Sequence, residues 1–264
     1  RYQRMGLERG RPRVLDQLSS ILSASPLLLW VIASILAYGA GTSLAWYVRR
    51  RDAWRAPYDQ WLAEGARFVF YLVVPYLALG GWPRQPYQGL LAPADMGLVG
   101  PGPAWPATRW LEAAGTGLGF ALLALIVLLV ARSQATRATG EDAFGFFSRP
   151  WWLLLVDGLY LEVHWAFYRG ALVIMLGDLY AGVFWGLGLA FVEWSLNPSW
   201  RNGWRQPSRA ASSWLRAALA LLSALLFLLT RNLWVCLGVH WLLTAILWRS
   251  TPQPLHSSVG DAGV

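Results

Sequence analysis

Apolar residues run along this chain in blocks of roughly 20, the length a helix needs to cross a bilayer, separated by short Arg-bearing or Pro/Gly-rich stretches. The pattern predicts about seven spans and an all-α fold, a polytopic transmembrane helical bundle. The first is Pro26 to Val48, stopped by Arg49, Arg50 and Arg51. A second, Arg67 to Trp82, has Pro75 inside it and follows an interfacial stretch from Tyr58 to Ala66. Pro and Gly between Pro83 and Thr108 mark a loop outside the hydrocarbon. The third span is Trp110 to Val130, followed by a polar loop with Arg132, Arg137, Glu141 and Asp142. The fourth and fifth are Trp151 to Leu176 and Leu179 to Leu196, and a basic loop with Arg201, Arg205 and Arg209 follows. Trp214 to Leu229 and Leu233 to Trp248, joined by Thr230, Arg231 and Asn232, form an antiparallel hairpin. There is no fixed-period repeat. The chain thus divides into an N-terminal tail (1–25), N-terminal spans with the Pro/Gly-rich loop (26–150), a C-terminal membrane core (151–248) and a tail (249–264) expected to be disordered.

Composition agrees with the pattern. Of 264 residues, 56% are hydrophobic, 18 are Trp and only 14% are charged, more apolar surface than one soluble core needs. The sequence contains no Lys, so all 22 basic residues are Arg, and the net charge of +8 sits in loops where it anchors a membrane protein. No nucleic-acid-binding motif accompanies it, so the partners expected are the lipid bilayer and other membrane protein subunits, with no nucleic acid. The single Cys236 excludes an internal disulfide and a cysteine-built metal site. The first apolar run, from Pro26, is too long for the h-region of a cleavable signal peptide. Arg counts favour the loops after spans one, three and five, with the C-terminus, as cytoplasmic, whereas five Arg in the N-terminal tail argue for the opposite orientation. A prokaryotic inner, intracytoplasmic or thylakoid-type membrane is the expected location.

Polar residues inside the apolar blocks locate the chemistry. Ionisable groups at bilayer depth cost roughly 2.5–3.5 kcal/mol each on insertion scales, so Glu162, His164 and Arg169 must face protein or water and have partners. At about 100° per residue, Asp157, His164 and Tyr168 share one stripe of the fourth span, while Glu162, Trp165 and Arg169 lie on another roughly 120° round. Two polar faces imply a helix surrounded by protein. On the fifth span Gly182, Gly186 and Ala190 form a small-residue ridge that admits a neighbouring helix, and Glu193 lies on the same side. Cys236, His240 and Thr244 share a face of the last span.

These positions carry a resemblance. Ala166, Phe167, Tyr168, Arg169 and Gly170 fit the second half of the EExxxR-Gly motif of the CPBP intramembrane proteases, the group that includes the CAAX-prenyl endopeptidases and bacteriocin-processing proteins. The run Thr230 to Trp234, with His240 in register, fits that family's closing segment. The resemblance covers Trp151 to Trp248 and implies a CPBP-like core in the C-terminal half. The departures bear on activity. The two Glu positions hold His164 and Trp165, the second-motif His position after Phe191 holds Ser195, and the Asn position holds Thr244. In the family the Glu pair activates water; without it the resemblance implies a non-catalytic accessory or scaffold subunit, a pseudoenzyme for which no cofactor is expected.

Each remnant residue also has a plain structural explanation. Arg169 can be a cation paired with Glu162 or Glu193 and stacked on Trp165. His164 and His240 can make interhelical hydrogen bonds, worth on average about 0.6 kcal/mol in membranes. The remaining Trp suit interfacial belts and lipid-facing surfaces. The sharper alternative is an active endopeptidase with relocated acid/base groups, in which Glu162, His164, Arg169, Glu193 and His240 are the remnant catalytic candidates and His164, Glu193 and His240 would hold zinc. A third has the two intramembrane His as axial ligands to a haem or chlorin pigment.

Overall fold

The computed structural model describes residues 26–50, 59–79, 93–98, 105–139 and 151–249, and among these there is helix but no strand. In chain order the elements are α1 (Pro26–Arg50), α2 (Asp59–Phe68), a π turn (Val69–Val73), α3 (Val74–Leu79), α4 (Ala107–Thr139), α5 (Trp151–Leu176), α6 (Leu179–Leu196), α7 (Pro198–Gly203), α8 (Pro207–Thr230) and α9 (Leu233–Arg249). The expected tails, 1–25 and 250–264, lie outside the described residues, as does Trp82.

Four stretches are long and apolar enough to cross a membrane, Pro26–Val48, Ala107–Arg137, Leu179–Leu196 and Ala210–Thr230, which is consistent with an integral membrane protein. The other three expected spans do not meet that measure, each for its own reason. In α5 the 26 residues are long enough, but Asp157, Glu162, His164 and Arg169 dilute its apolar content. In α9 the 17 residues reach about 26 Å at about 1.5 Å per residue, short of a hydrocarbon core of about 30 Å. The stretch expected at Arg67 to Trp82 does not begin at Arg67: α2, the π turn and α3 run on without a break from Asp59 to Leu79. Pro75 has no N–H to give the carbonyl four residues back, and the widened turn just before it absorbs the mismatch, with Val74 N–H reaching the carbonyl of Val69.

Parts of two expected loops are helical, Glu141 and Asp142 lying outside the described residues. Arg132 and Arg137 lie in the 33-residue α4, whose polar end is built of good helix formers. Arg132 is buried and its Nη1 donates to the carbonyl of Leu247 at 3.2 Å, satisfying an end-of-helix acceptor of α9. The basic stretch after α6 contains α7 and the start of α8. Asn197 organises this corner: its Oδ1 accepts from the N–H groups of Ser199 and Trp200, while its Nδ2 donates to the Tyr38 hydroxyl on α1. Pro207 stands in the first turn of α8, where a missing N–H costs nothing.

The hairpin turn between α8 and α9 is compact. Arg231 adopts φ 49, the left-handed conformation that ends a helix, and its N–H bonds the carbonyl of Phe227. Asn232 Oδ1 then accepts from Trp234 and Val235 N–H to start α9. Part of the Pro/Gly-rich loop docks onto this turn: Met96 is fully buried, Gly97 O accepts from Leu233 N–H, and Leu98 O accepts from Trp234 Nε1. Gly97 has φ +73, and a Cβ there would lie 2.6 Å from Phe227 and 3.0 Å from the Arg231 carbonyl. Gly97→Ala should therefore cost about 1–2 kcal/mol from backbone strain alone. Chemical denaturation of the purified protein checks the value.

Helix α5 sits at the centre of the bundle. It packs against α6, α9, α1, α3 and the π turn, while α4 and α8 close the far side against α9. Residues 164–171 of α5 are buried without interruption. Gly158 lets α9 come close, since a Cβ there would lie 3.0 Å from the Trp241 ring.

Candidate functional site

The sequence positions the candidates on one helix and its two neighbours, and the fold encloses them. Glu162, His164, Arg169, Glu193 and His240 are all buried, Glu162 completely. They form two separate groups.

The first group joins α5, α8 and α9. Glu162 Oε1 lies 3.0 Å from His240 Nδ1, and its Oε2 accepts from Ser223 Oγ at 2.6 Å. The Ser223 hydroxyl in turn accepts from Arg169 Nη1 at 2.9 Å. Glu162 is thus bracketed by an imidazole and a hydroxyl, with the guanidinium one link away; the direct Arg169 Nη2 to Glu162 Oε2 distance is 3.7 Å. Ser223 is the relay that makes this geometry possible. Arg169 pairs with Glu162 and not with Glu193, and its guanidinium lies 4.6 Å over the ring of Phe227 instead of stacking on Trp165. The reason is direction: Arg169 points to α8, where Ser223 and Phe227 stand one turn apart, whereas Trp165 turns to α9 and stacks on His240 at 5.9 Å.

The second group joins α5 and α6. His164 Nε2 lies 2.7 Å from Glu193 Oε2. Its ring is enclosed by Phe70 and Tyr71 of the π turn and by Tyr168, with centroids 4.7, 5.1 and 4.5 Å away. Nδ1 has no hydrogen-bond partner among the described residues. Tyr168 bonds Ser34 of α1 at 3.3 Å, and Asp157, on the same stripe, pairs with Arg67 at 2.6 Å.

The set His164, Glu193 and His240 is not brought together. Trp165 is stacked on His240 and edge-on to Trp194 of α6 at 6.0 Å. Each imidazole has instead its own carboxylate, and among the described residues no three His, Cys, Asp or Glu side chains gather as a metal-binding set. The donors fit a zinc ion poorly: a tetrahedral site needs three protein ligands around one point, and here they come in twos.

Ser223 and the aromatic wall of the π turn were not singled out from the sequence. Ser223 had a signal, being a hydroxyl alone in the apolar stretch from Ala217 to Leu229. The wall had none, because Phe70 and Tyr71 read as ordinary apolar residues. A void of ≈ 10 Å³ adjoins the first group, lined by Trp165, Arg169, Gly186, Leu187, Ala190, Ala220 and Ala224. That is room for about one water.

The molecule is thus an all-helical bundle of membrane type with two buried carboxylate–imidazole pairs at its centre. No family model, no curated protein and no solved structure matches the chain.

Proposed function

We propose that the chain is a non-catalytic accessory or scaffold subunit of a membrane protein complex, built on a core that resembles the CPBP intramembrane proteases. The observation that carries the reading is the use of the carboxylates. Glu162 is held by Ser223 and His240, Glu193 lies against His164, both carboxylates are buried, and the place of the family's second Glu is filled by Trp165. Loss of a positioned general base typically costs about 10²–10⁴ in rate, and here the Asn and second-motif His are replaced as well. The polar groups serve as interhelical fastenings, which fix one helix register in a membrane where apolar contact alone discriminates weakly.

The purified protein should leave prenylated and transmembrane peptides uncleaved, as mass spectrometry of the peptides would record, and should migrate with partner subunits when solubilised in mild detergent. Migration as a lone monomer under those conditions counts against the scaffold reading. A second reading, an intramembrane endopeptidase with relocated groups, is favoured by the 3.0 Å contact of Glu162 with His240, a carboxylate holding the imidazole that the resemblance retains. Proteolysis by the native chain that disappears in His240→Ala would decide for it.

A further inference from the structure

Most of the Arg among the described residues gather at one end of the bundle. Helix α6 ends there and α8 begins there, with α7 between them. α9 runs antiparallel to α8, so the exposed Arg249 returns to the same end, and the hydrogen bond of Arg132 to Leu247 brings the exposed Arg137 of α4 with it. α5 is antiparallel to α6, so its first turns lie there too, where Asp157 neutralises Arg67. At the opposite end the described Arg are Arg109 and Arg231, and Asp95, Glu112 and Asp178 accompany them.

Within the Arg-rich end, the corner made by the close of α6, α7 and the first turns of α8 has no compensating charge. Arg201 and Arg205 are exposed, Arg216 is partly buried, and the chain holds no Asp or Glu between Glu193 and Asp261. Glu193 itself is buried against His164. None of the three Arg side chains has an ion pair or a hydrogen bond among the described residues. Depth sharpens the need for a counter-charge. The 18 residues of α6 span about 27 Å at about 1.5 Å per residue, close to a hydrocarbon core of about 30 Å, which puts Arg201 and Arg205 at head-group level. Arg216 lies inside the membrane-capable stretch Ala210–Thr230, where a cation without a partner is expensive. Its charge acts on the hydroxyl of Tyr38, which Asn197 also holds, so it belongs to the same corner. Trp204 packs on the exposed Trp214 at 4.9 Å, an amphipathic pair of the kind that sits where acyl chains meet head groups.

We propose that this corner binds the phosphate of an anionic membrane lipid, with Arg201 and Arg205 meeting it at head-group level and Arg216 reaching toward it from the hydrocarbon side. A guanidinium is planar and permanently charged, and its fork matches phosphate oxygens in pairs. A long Arg stem can lie along apolar surface while its head reaches the interface, which suits the position of Arg216. An anionic head group supplies the negative charge that no residue of this corner provides, whereas a zwitterionic lipid already carries a cation beside its own phosphate. A lipid, and not a soluble anion, is the occupant because the corner stands between two membrane-capable stretches and carries Trp214 on its apolar side. The inference is independent of the scaffold reading, since it concerns the lipid and not a protein partner or a cleaved peptide.

The test uses the full chain in nanodiscs of equal parts phosphatidylcholine and phosphatidylglycerol with the same acyl chains, and native mass spectrometry reads which lipid the released protein retains. Phosphatidylglycerol should be retained in preference. Arg216→Gln, and the double variant Arg201→Gln/Arg205→Gln at exposed positions, should lower that preference by roughly fivefold per Arg removed, the weight of one Arg at an anionic surface. Arg109→Gln removes the same charge from an exposed position at the opposite end and should leave the preference as it was. If Arg216→Gln does not fold, the double variant carries the test, its positions being on the surface. The unfolding midpoint of the native protein should rise with phosphatidylglycerol and stay constant when inorganic phosphate is added to phosphatidylcholine nanodiscs. Equal retention of the two lipids, an equal loss of preference in Arg109→Gln, or a rise with inorganic phosphate that matches the rise with phosphatidylglycerol would each overturn the proposal, the last by making a soluble anion the occupant.

Discussion

Glu162→Ala should be the most damaging single substitution at the centre of the bundle, lowering stability by about 3–5 kcal/mol, the usual cost of leaving one member of a buried ion pair uncompensated. Glu162 is the common acceptor of the first group, so its loss strands Ser223 Oγ and His240 Nδ1 and leaves the buried Arg169 without the nearby negative charge. The void that adjoins the group has room for about one water. Glu162→Gln should cost less, because an amide keeps one acceptor and the shape, though its NH₂ must face either Ser223 or His240. The double variant Glu162→Ala/Arg169→Met should be less destabilised than the sum of its two single changes, the signature of residues within one network. Denaturant unfolding in detergent, followed by tryptophan fluorescence, gives all four values. Additive effects would show that Arg169 draws its stability from Ser223 and Phe227 alone.

The sequence announced Glu162, His164, Arg169, Glu193 and His240 because charge inside an apolar run is costly and therefore conspicuous. It also put Glu162 and Arg169 on one face of α5 and His164 on another, since the helical period alone decides that. It did not say which helix stands opposite each face. Ser223 and His240 lie 61 and 78 residues from Glu162, and such pairings depend on the packing of the whole bundle. For this reason Arg169 finds Phe227 in place of Trp165, and the three proposed metal ligands fall into two pairs.

Helix ends were legible where a residue with its own mechanism marks them. Asp178 and Asn197 cap α6 and α7 through their side chains, and the Thr230 to Asn232 turn separates α8 from α9. Ends defined only by a fall in hydropathy were placed too early, because hydropathy reports the bilayer and not the helix. α4 runs past Val130 to Thr139 on Ala, Gln and Arg, residues that stay helical in water, and Arg132 uses that extension to reach Leu247. The π turn before Pro75 was hidden for a related reason: Pro75 forbids the ordinary hydrogen bond, yet the sequence does not reveal whether the helix breaks or widens there.

Gly182→Ala tests the contact that holds the two groups on one frame. Helices α5 and α6 form the most extensive helix pair among the described residues, and the ridge of Gly182, Gly186 and Ala190 faces α5. A Cβ on Gly182 would sit 2.5 Å from the Cα and N of Val173, and one on Gly186 would sit 2.9 Å from the Cα of Arg169. Those are backbone atoms, so no rotamer change relieves the overlap and the helices must part. Replacing a helical Gly by Ala gains up to about 1 kcal/mol in propensity, while overpacking costs typically about 1–3 kcal/mol, with rigid backbone neighbours placing this case at the upper end. The net expectation is a loss of about 2 kcal/mol. Parting α5 from α6 also lengthens the 2.7 Å contact of His164 with Glu193, which spans the same interface. Gly188→Ala is the matched control: it lies on the same helix, its nearest neighbour would be a Trp185 ring atom at 3.8 Å, and it should be neutral or stabilising. If the two variants unfold at the same denaturant concentration, close approach of the backbones is not what joins α6 to the centre of the bundle.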